Sequence, residues 1–142
     1  MGRYEVLETV AIADCALAVE GTDLDDLFTT AARALAELMV DPATLTPSLE
    51  RRVVLEAVAL DLLLFDWLNE LIGLKDSEGA AFPGVEVQVE QGPPWRLRAR
   101  LVGGPLHGGT AALRADPKAV TFHLFRVEPW AGGWRARVVI DI

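Results

Sequence analysis

The sequence has a single cysteine, Cys15, in 142 residues. No internal disulfide can form, so the fold must stand on its core alone. That usage fits a reducing compartment, and the expected location is cytoplasmic. Basic residues are also scarce. Thirteen Lys and Arg stand against 21 Asp and Glu, a formal net charge of −8. Such a chain is a poor bulk binder of nucleic acid, because phosphate neutralisation needs a positive surface. The charge suits solubility, cation binding or a basic protein partner. A membrane-length apolar run is missing. The apolar stretch Leu62 to Gly73 is only about 12 residues long and carries charge, so no bilayer span is expected. The opening Met-Gly-Arg-Tyr-Glu has no secretory apolar region, and Val6 stands where myristoylation would want Ser or Thr. There is no internal repeat and no low-complexity segment. No Ser/His/Asp or Cys/His grouping falls at a recognised spacing. Gly103, Gly104, Gly108 and Gly109 match neither a Walker nor a Rossmann pattern. An independent hydrolase would need a nucleophile-and-base pair that this sequence does not offer.

What is present is apolar bulk. The hydrophobic fraction is 51%, and a chain this long can bury roughly two-thirds of its unfolded surface. One domain spanning residues 1–142 is expected. Its hub is the stretch Leu-Leu-Leu-Phe-Asp-Trp-Leu-Asn-Glu-Leu-Ile-Gly at 62–73. As a helix, its polar residues Asp66, Asn69 and Glu70 make one narrow stripe. A helix so apolar is buried with other elements packed around it.

Other elements follow by pattern. Tyr4 to Glu8 and Ala16 to Glu20 read as short strands. Thr22 as N-cap with Asp25 predicts a helix that Asp41-Pro42 stops. Arg52 to Val58 reads as a strand leading into the hub helix, placed at about 60–74, with Lys75 to Gly79 as its polar exit. Val85 to Glu90 and Trp95 to Leu101 alternate apolar and polar residues and predict a hairpin. Gly103 to Gly109 reads as a loop, Val120 to Glu128 as a strand, Pro129 to Gly133 as a turn, and Trp134 to Ile142 as a strand. The expected fold class is α+β, a layered sandwich of mostly antiparallel sheet with two main helices.

Two carboxylates stand out. Asp14 interrupts the apolar run Val10 to Val19, and a bare buried carboxylate is costly. It is either a turn residue or a solvated, paired or metal-bound group. Asp141 lies in the last strand beside the carboxyl group of Ile142. It pairs with Arg137 at a surface, or it contributes oxygen ligands to a hard cation. Lys118 and His123 bracket the start of the Val120 strand, and a lone strand histidine is more often structural. Cys15 has a negative neighbour, which disfavours a reactive thiolate. Arg96, Arg98 and Arg100 can be matched by Glu86 and Glu90 across the hairpin, which accounts for them without RNA.

The chain resembles the archease family almost end to end. The resemblance rests on Asp66-Trp-Leu-Asn-Glu-Leu-Ile72, on Lys118-Ala-Val-Thr-Phe-His123, and on the closing Gly132-Gly-Trp-Arg-Ala-Arg-Val-Val-Ile-Asp-Ile142, with Ala13-Asp14 fitting an early His-Thr-Ala-Asp motif. It implies an accessory protein, not an enzyme, that assists an RtcB-type RNA ligase in tRNA splicing and RNA repair. Such a protein promotes ligase guanylylation and multiple turnover. The implied metal ligands are Asp14, Asp141 and Ile142, holding a divalent cation: calcium, with magnesium or manganese as alternatives. Lys118 is expected near the same site. The implied partner is the ligase, with no direct nucleic-acid contact. Ala11 and Ile12 stand where the family motif has His and Thr, and a family histidine aligns at Ala111, with His107 four residues out of register. The alternative from another class is a metal-independent chaperone or scaffold for nucleic-acid-processing enzymes.

Overall fold

The structure, a computed structural model, describes residues 2–7 and 14–142. Ala11, Ile12 and Ala13 of the early motif, and the end of the first expected strand at Glu8, lie outside the described residues. The elements run β1 (Arg3–Val6), β2 (Asp14–Gly21), α1 (Leu24–Met39), β3 (Leu49–Ala57), α2 (Leu60–Glu78), β4 (Ala80–Glu90), β5 (Trp95–Pro105), β6 (Ala119–Trp130) and β7 (Gly133–Asp141). They form a four-stranded sheet in the order β1-β2-β7-β6 and a three-stranded sheet in the order β3-β5-β4. All pairings are antiparallel. The α+β layered architecture expected from the pattern is the one observed.

Helix α2 explains the layout. Leu63, Leu64, Trp67, Leu68, Leu71 and Ile72 are all buried. A helix so apolar needs cover on nearly every side. It packs on β6 of the larger sheet and on β3, β4 and β5 of the smaller one. Trp67 is fully buried, and its indole Nε1–H donates to the Phe28 carbonyl of α1 at 3.1 Å.

The local stops refine the expected boundaries. Asp23 caps α1, not Thr22, accepting from the Asp26 amide at 2.8 Å. Asp26 in turn accepts from the Thr22 amide at 2.8 Å and the Gly2 amide at 2.9 Å. The cap is therefore one residue later than expected, and the Asp26 side chain reaches back past the N-cap to the Thr22 amide rather than closing a reciprocal pair with Asp23. α2 does not exit at Leu74 but runs on to Glu78, where Gly79 ends it at φ +62° in the left-handed region. β3 begins at Leu49, ahead of the expected Arg52. Gly103 and Gly104 are strand, not loop. A side chain there would overlap the carbonyl oxygens of Ala81 and Thr46, so glycine permits close backbone packing. The β6–β7 turn is only Ala131-Gly132, both with positive φ, as a two-residue hairpin requires.

On the smaller sheet the register sets Glu86 opposite Arg100 and Glu90 opposite Arg96. Arg96 pairs with Glu56 at 2.9 Å and Arg100 with Glu50 at 2.8 Å. The arginine row is thus largely neutralised within its own face.

Candidate functional site: the Asp14–Asp141 end of the larger sheet

Strand β7 lies between β2 and β6, and the register brings the flagged residues to one end of the sheet. Asp14 and Asp141 are direct cross-strand partners. Ala119 is the partner of Asp141 on the other side. The Lys118 amide donates to the Asp141 carbonyl at 2.7 Å. Directly opposed residues project from the same face, so both carboxylates share one. Cys15, Leu17 and Val19 of β2 and Ala136, Val138 and Ile140 of β7 belong to the core. By alternation Asp14 and Asp141 project from the opposite face. Both are half-buried, and Lys118 is exposed. Ile142 follows Asp141 and packs its side chain against the core.

Asp141 forms no ion pair with Arg137 among the described residues. Four residues of strand separate them by about 13 Å. Arg137 instead lies opposite Ala18 and Arg126. The surface-pair reading of Asp141 therefore fails on geometry.

Two opposed carboxylates without a cationic side chain in the register repel each other. Their donor set is oxygen only, which suits a hard cation and not a thiolate- or imidazole-seeking metal. Among the described residues no group of three His, Cys, Asp or Glu side chains could hold a metal. The side chains supply two ligand groups, and any third protein ligand has to come from the main chain. The Ile142 carboxyl group is the adjacent candidate. Oxygen donors of this kind are those that a hard cation takes.

Cys15, next to Asp14, is buried, and that burial raises its thiol above the ordinary value. It stays neutral and unreactive, as its setting suggested. His123 is exposed on β6. The strand is irregular between Thr121 and Arg126, and Leu124 takes φ +56°. This breaks the regular alternation of a strand, so Phe122 and Phe125 both meet Phe65 of α2. The ring centroids lie 4.0 Å and 5.9 Å from it.

Two residues of α2 near the site were seen in the sequence only as part of a polar stripe and a polar exit. Asn69 binds the backbone of Val120 in both directions, donating to its carbonyl at 3.4 Å and accepting from its amide at 2.9 Å. Lys75, read as part of a polar exit, is buried. It donates to Asp116, to the Pro117 carbonyl at 2.7 Å, and to Asp76 at 2.8 Å. Burial alone would lower the Lys75 ammonium, but hydrogen bonds to Asp116 and Asp76 outweigh it and hold it above its ordinary value. The Lys75 hydrogen bond and charge hold the Asp116 carboxyl below its own. A signal for Lys75 was available: Leu64, Leu68, Leu71 and Lys75 share the spacing of the buried face.

The two-sheet fold has counterparts among known proteins. Residues 4–142 match the model of the archease protein family. Protein archease of Archaeoglobus fulgidus is 38% identical over 130 residues, covering 92% of this chain and 93% of that protein. Protein archease of Thermococcus gammatolerans is 33% identical over 144 residues and covers the whole of both chains. The solution structure of Methanobacterium thermoautotrophicum protein 1598 aligns at a TM-score of 0.79 and 29% identity, over 98% of each chain. The crystal structure of a Thermotoga maritima archease, described as a possible chaperone, aligns at 0.62 and 21% identity over 93% of each chain. The protein is a small α+β domain built on two antiparallel sheets. It belongs to the archease family.

Proposed function

We propose that this protein is an accessory factor that activates an RtcB-type RNA ligase in tRNA splicing and RNA repair, promoting ligase guanylylation and multiple turnover. In this reading Asp14, Asp141 and the Ile142 carboxyl group hold a divalent cation, with calcium favoured over magnesium or manganese. Family membership supports the ligase role. The observation that carries the site is the direct opposition of Asp14 and Asp141 across β2 and β7. When bound, the cation supplies positive charge that phosphate oxygens can meet. The chain's own residues set where that happens. Ile142 fixes the end of β7 through its side chain, and the Lys118 amide orients the Asp141 backbone. The exposed Lys118 ammonium adds a second positive group that can reach a nucleotide phosphate.

The test is an RNA-joining assay with the cognate ligase under multiple-turnover conditions. Wild-type protein raises the number of turnovers per ligase, and Asp14→Ala or Asp141→Ala abolishes most of that gain. Undiminished stimulation by both variants would refute the site. A second reading, a metal-independent chaperone or scaffold, draws on the half-exposed Phe122 and Leu124 on β6 and on the description of the Thermotoga relative. It predicts stimulation that survives chelation of divalent cations not needed by the ligase.

A further inference from the structure

The segment 114–120 carries Lys118 and begins β6, and it is pinned along its length. The amides of Arg114 and Ala115 donate to the Met39 and Leu38 carbonyls at the end of α1, at 2.9 and 2.8 Å. Lys75 of α2 holds the next two residues, through the Asp116 carboxylate and the Pro117 carbonyl. The Lys118 amide meets the Asp141 carbonyl. Asn69 of α2 then holds both backbone groups of Val120, as a neighbouring strand would. The two fixing points on α2 therefore bracket Lys118 and Ala119, the residues that border Asp141.

Lys75 is matched to this task. Its ammonium has three N–H donors, and Asp116, Asp76 and Pro117 supply three acceptors. A lysine buried to 8% exposure at the end of a helix is costly unless so satisfied. The arrangement satisfies the buried ammonium and at the same time fixes the backbone of the segment. Lys118 itself makes no ion pair among the described residues, so its side chain is left free while its main chain is held.

We infer that Asn69 and Lys75 are positioning residues: from α2 they fix the backbone of Lys118 and Asp141 and so set the geometry of the acidic sheet end. The inference rests on the reading of that end as the cation site. It assigns the polar stripe of the hub helix and its buried lysine a role in the site without contact to any ligand. Loss of either anchor leaves both carboxylates present but lets the β6–β7 end open.

The experiment has two arms. Amide hydrogen exchange by NMR is measured on wild type, Lys75→Met, Asn69→Ala and the milder Asp116→Ala, whose substituted side chain is 76% exposed. The Lys118 amide is expected to exchange about 10- to 100-fold faster in the variants, while the core amide of Val138 keeps its protection. Calcium chloride titrated by calorimetry is expected to bind about tenfold more weakly to Lys75→Met and Asn69→Ala, as outer-shell changes do, with a smaller loss for Asp116→Ala. Unchanged Lys118 exchange in all three variants would overturn the anchoring. Faster exchange with wild-type calcium affinity would reduce the anchors to a structural role and also overturn the inference. No calcium heat with wild-type protein would instead refute the cation reading itself. That outcome is read from wild type alone, so the two failures are distinguishable.

Discussion

The opposition of Asp14 and Asp141 makes a prediction about the protein without cation. Directly opposed residues on antiparallel strands have Cβ atoms roughly 5 Å apart. Two unit charges at that distance repel by about 0.8 kcal/mol in a water-like dielectric and about 3 kcal/mol at an effective dielectric near 20. Both residues are half-buried at a sheet end, so the lower part of that range applies, about 1 kcal/mol. Asp14→Asn keeps the shape and removes the repulsion. In chelator the variant should therefore melt higher than wild type, by roughly 3 °C for a chain of this size. Calcium should reverse the order. A cation at about 100 times its dissociation constant stabilises the folded state by about 2.7 kcal/mol, several degrees in wild type and little in the variant. The assay is a thermal melt of both proteins, each in chelator and in calcium chloride. A variant that melts below wild type in chelator would refute the repulsion. A variant that keeps the full calcium shift would refute the role of Asp14 as a ligand.

Other outcomes follow from the core and from the Lys75 anchor. Trp67→Ala removes a fully buried side chain and its bond to the Phe28 carbonyl, and should cost about 3–5 kcal/mol in urea unfolding. Trp67→Phe should cost less, roughly 1–3 kcal/mol, from the lost hydrogen bond and the volume the smaller ring leaves unfilled. The Lys75–Asp116 pair also has a signed pH dependence. The Asp116 carboxyl is lowered by Lys75, so its contribution is present above the ordinary carboxylate value near ~4 and fades as pH falls through the lowered one. The Lys75 ammonium is raised, burial notwithstanding, by Asp116 and Asp76. Its contribution is present below about 10 and fades as pH rises through the raised value. The melting difference between wild type and Asp116→Ala should stay level from about pH 5 to pH 9 and shrink in strong acid. A difference that changes steeply near pH 7 would contradict the pairing.

Much of the fold was legible because the sequence follows its periods. Val85, Val87 and Val89 alternate with polar residues and do form one strand of the smaller sheet. The apolar breadth of residues 62–73 marked a buried helix, and α2 is buried against both sheets. The early and late carboxylates were visible as polar interruptions of apolar strands. Their meeting was not, because pairing between residues so far apart depends on topology, which places β7 between β2 and β6. Lys75 was misread because Lys-Asp-Ser-Glu-Gly resembles a solvated exit. Only the packed fold shows that Asp116 and Pro117 arrive to receive it. The shift of the α1 cap from Thr22 to Asp23 has a similar cause. Either side chain can cap, and the contact from the Gly2 amide to Asp26 is set by β1 rather than by the local run. Glycines 103 and 104 looked like a loop because glycine usually interrupts strands, whereas here close backbone neighbours demand it.

The central position of β7 has a consequence for biogenesis. Strand β2 is synthesised on the order of a hundred residues before the strand that pairs with it. Until β7 enters, β2 and β6 both lack a neighbour on their facing edges, and open edges invite wrong pairings. Asp14 and Asp141 come together only when that gap closes. A partner that recognises the two carboxylates side by side thus ignores nascent and half-folded molecules, and engages only chains whose larger sheet is finished.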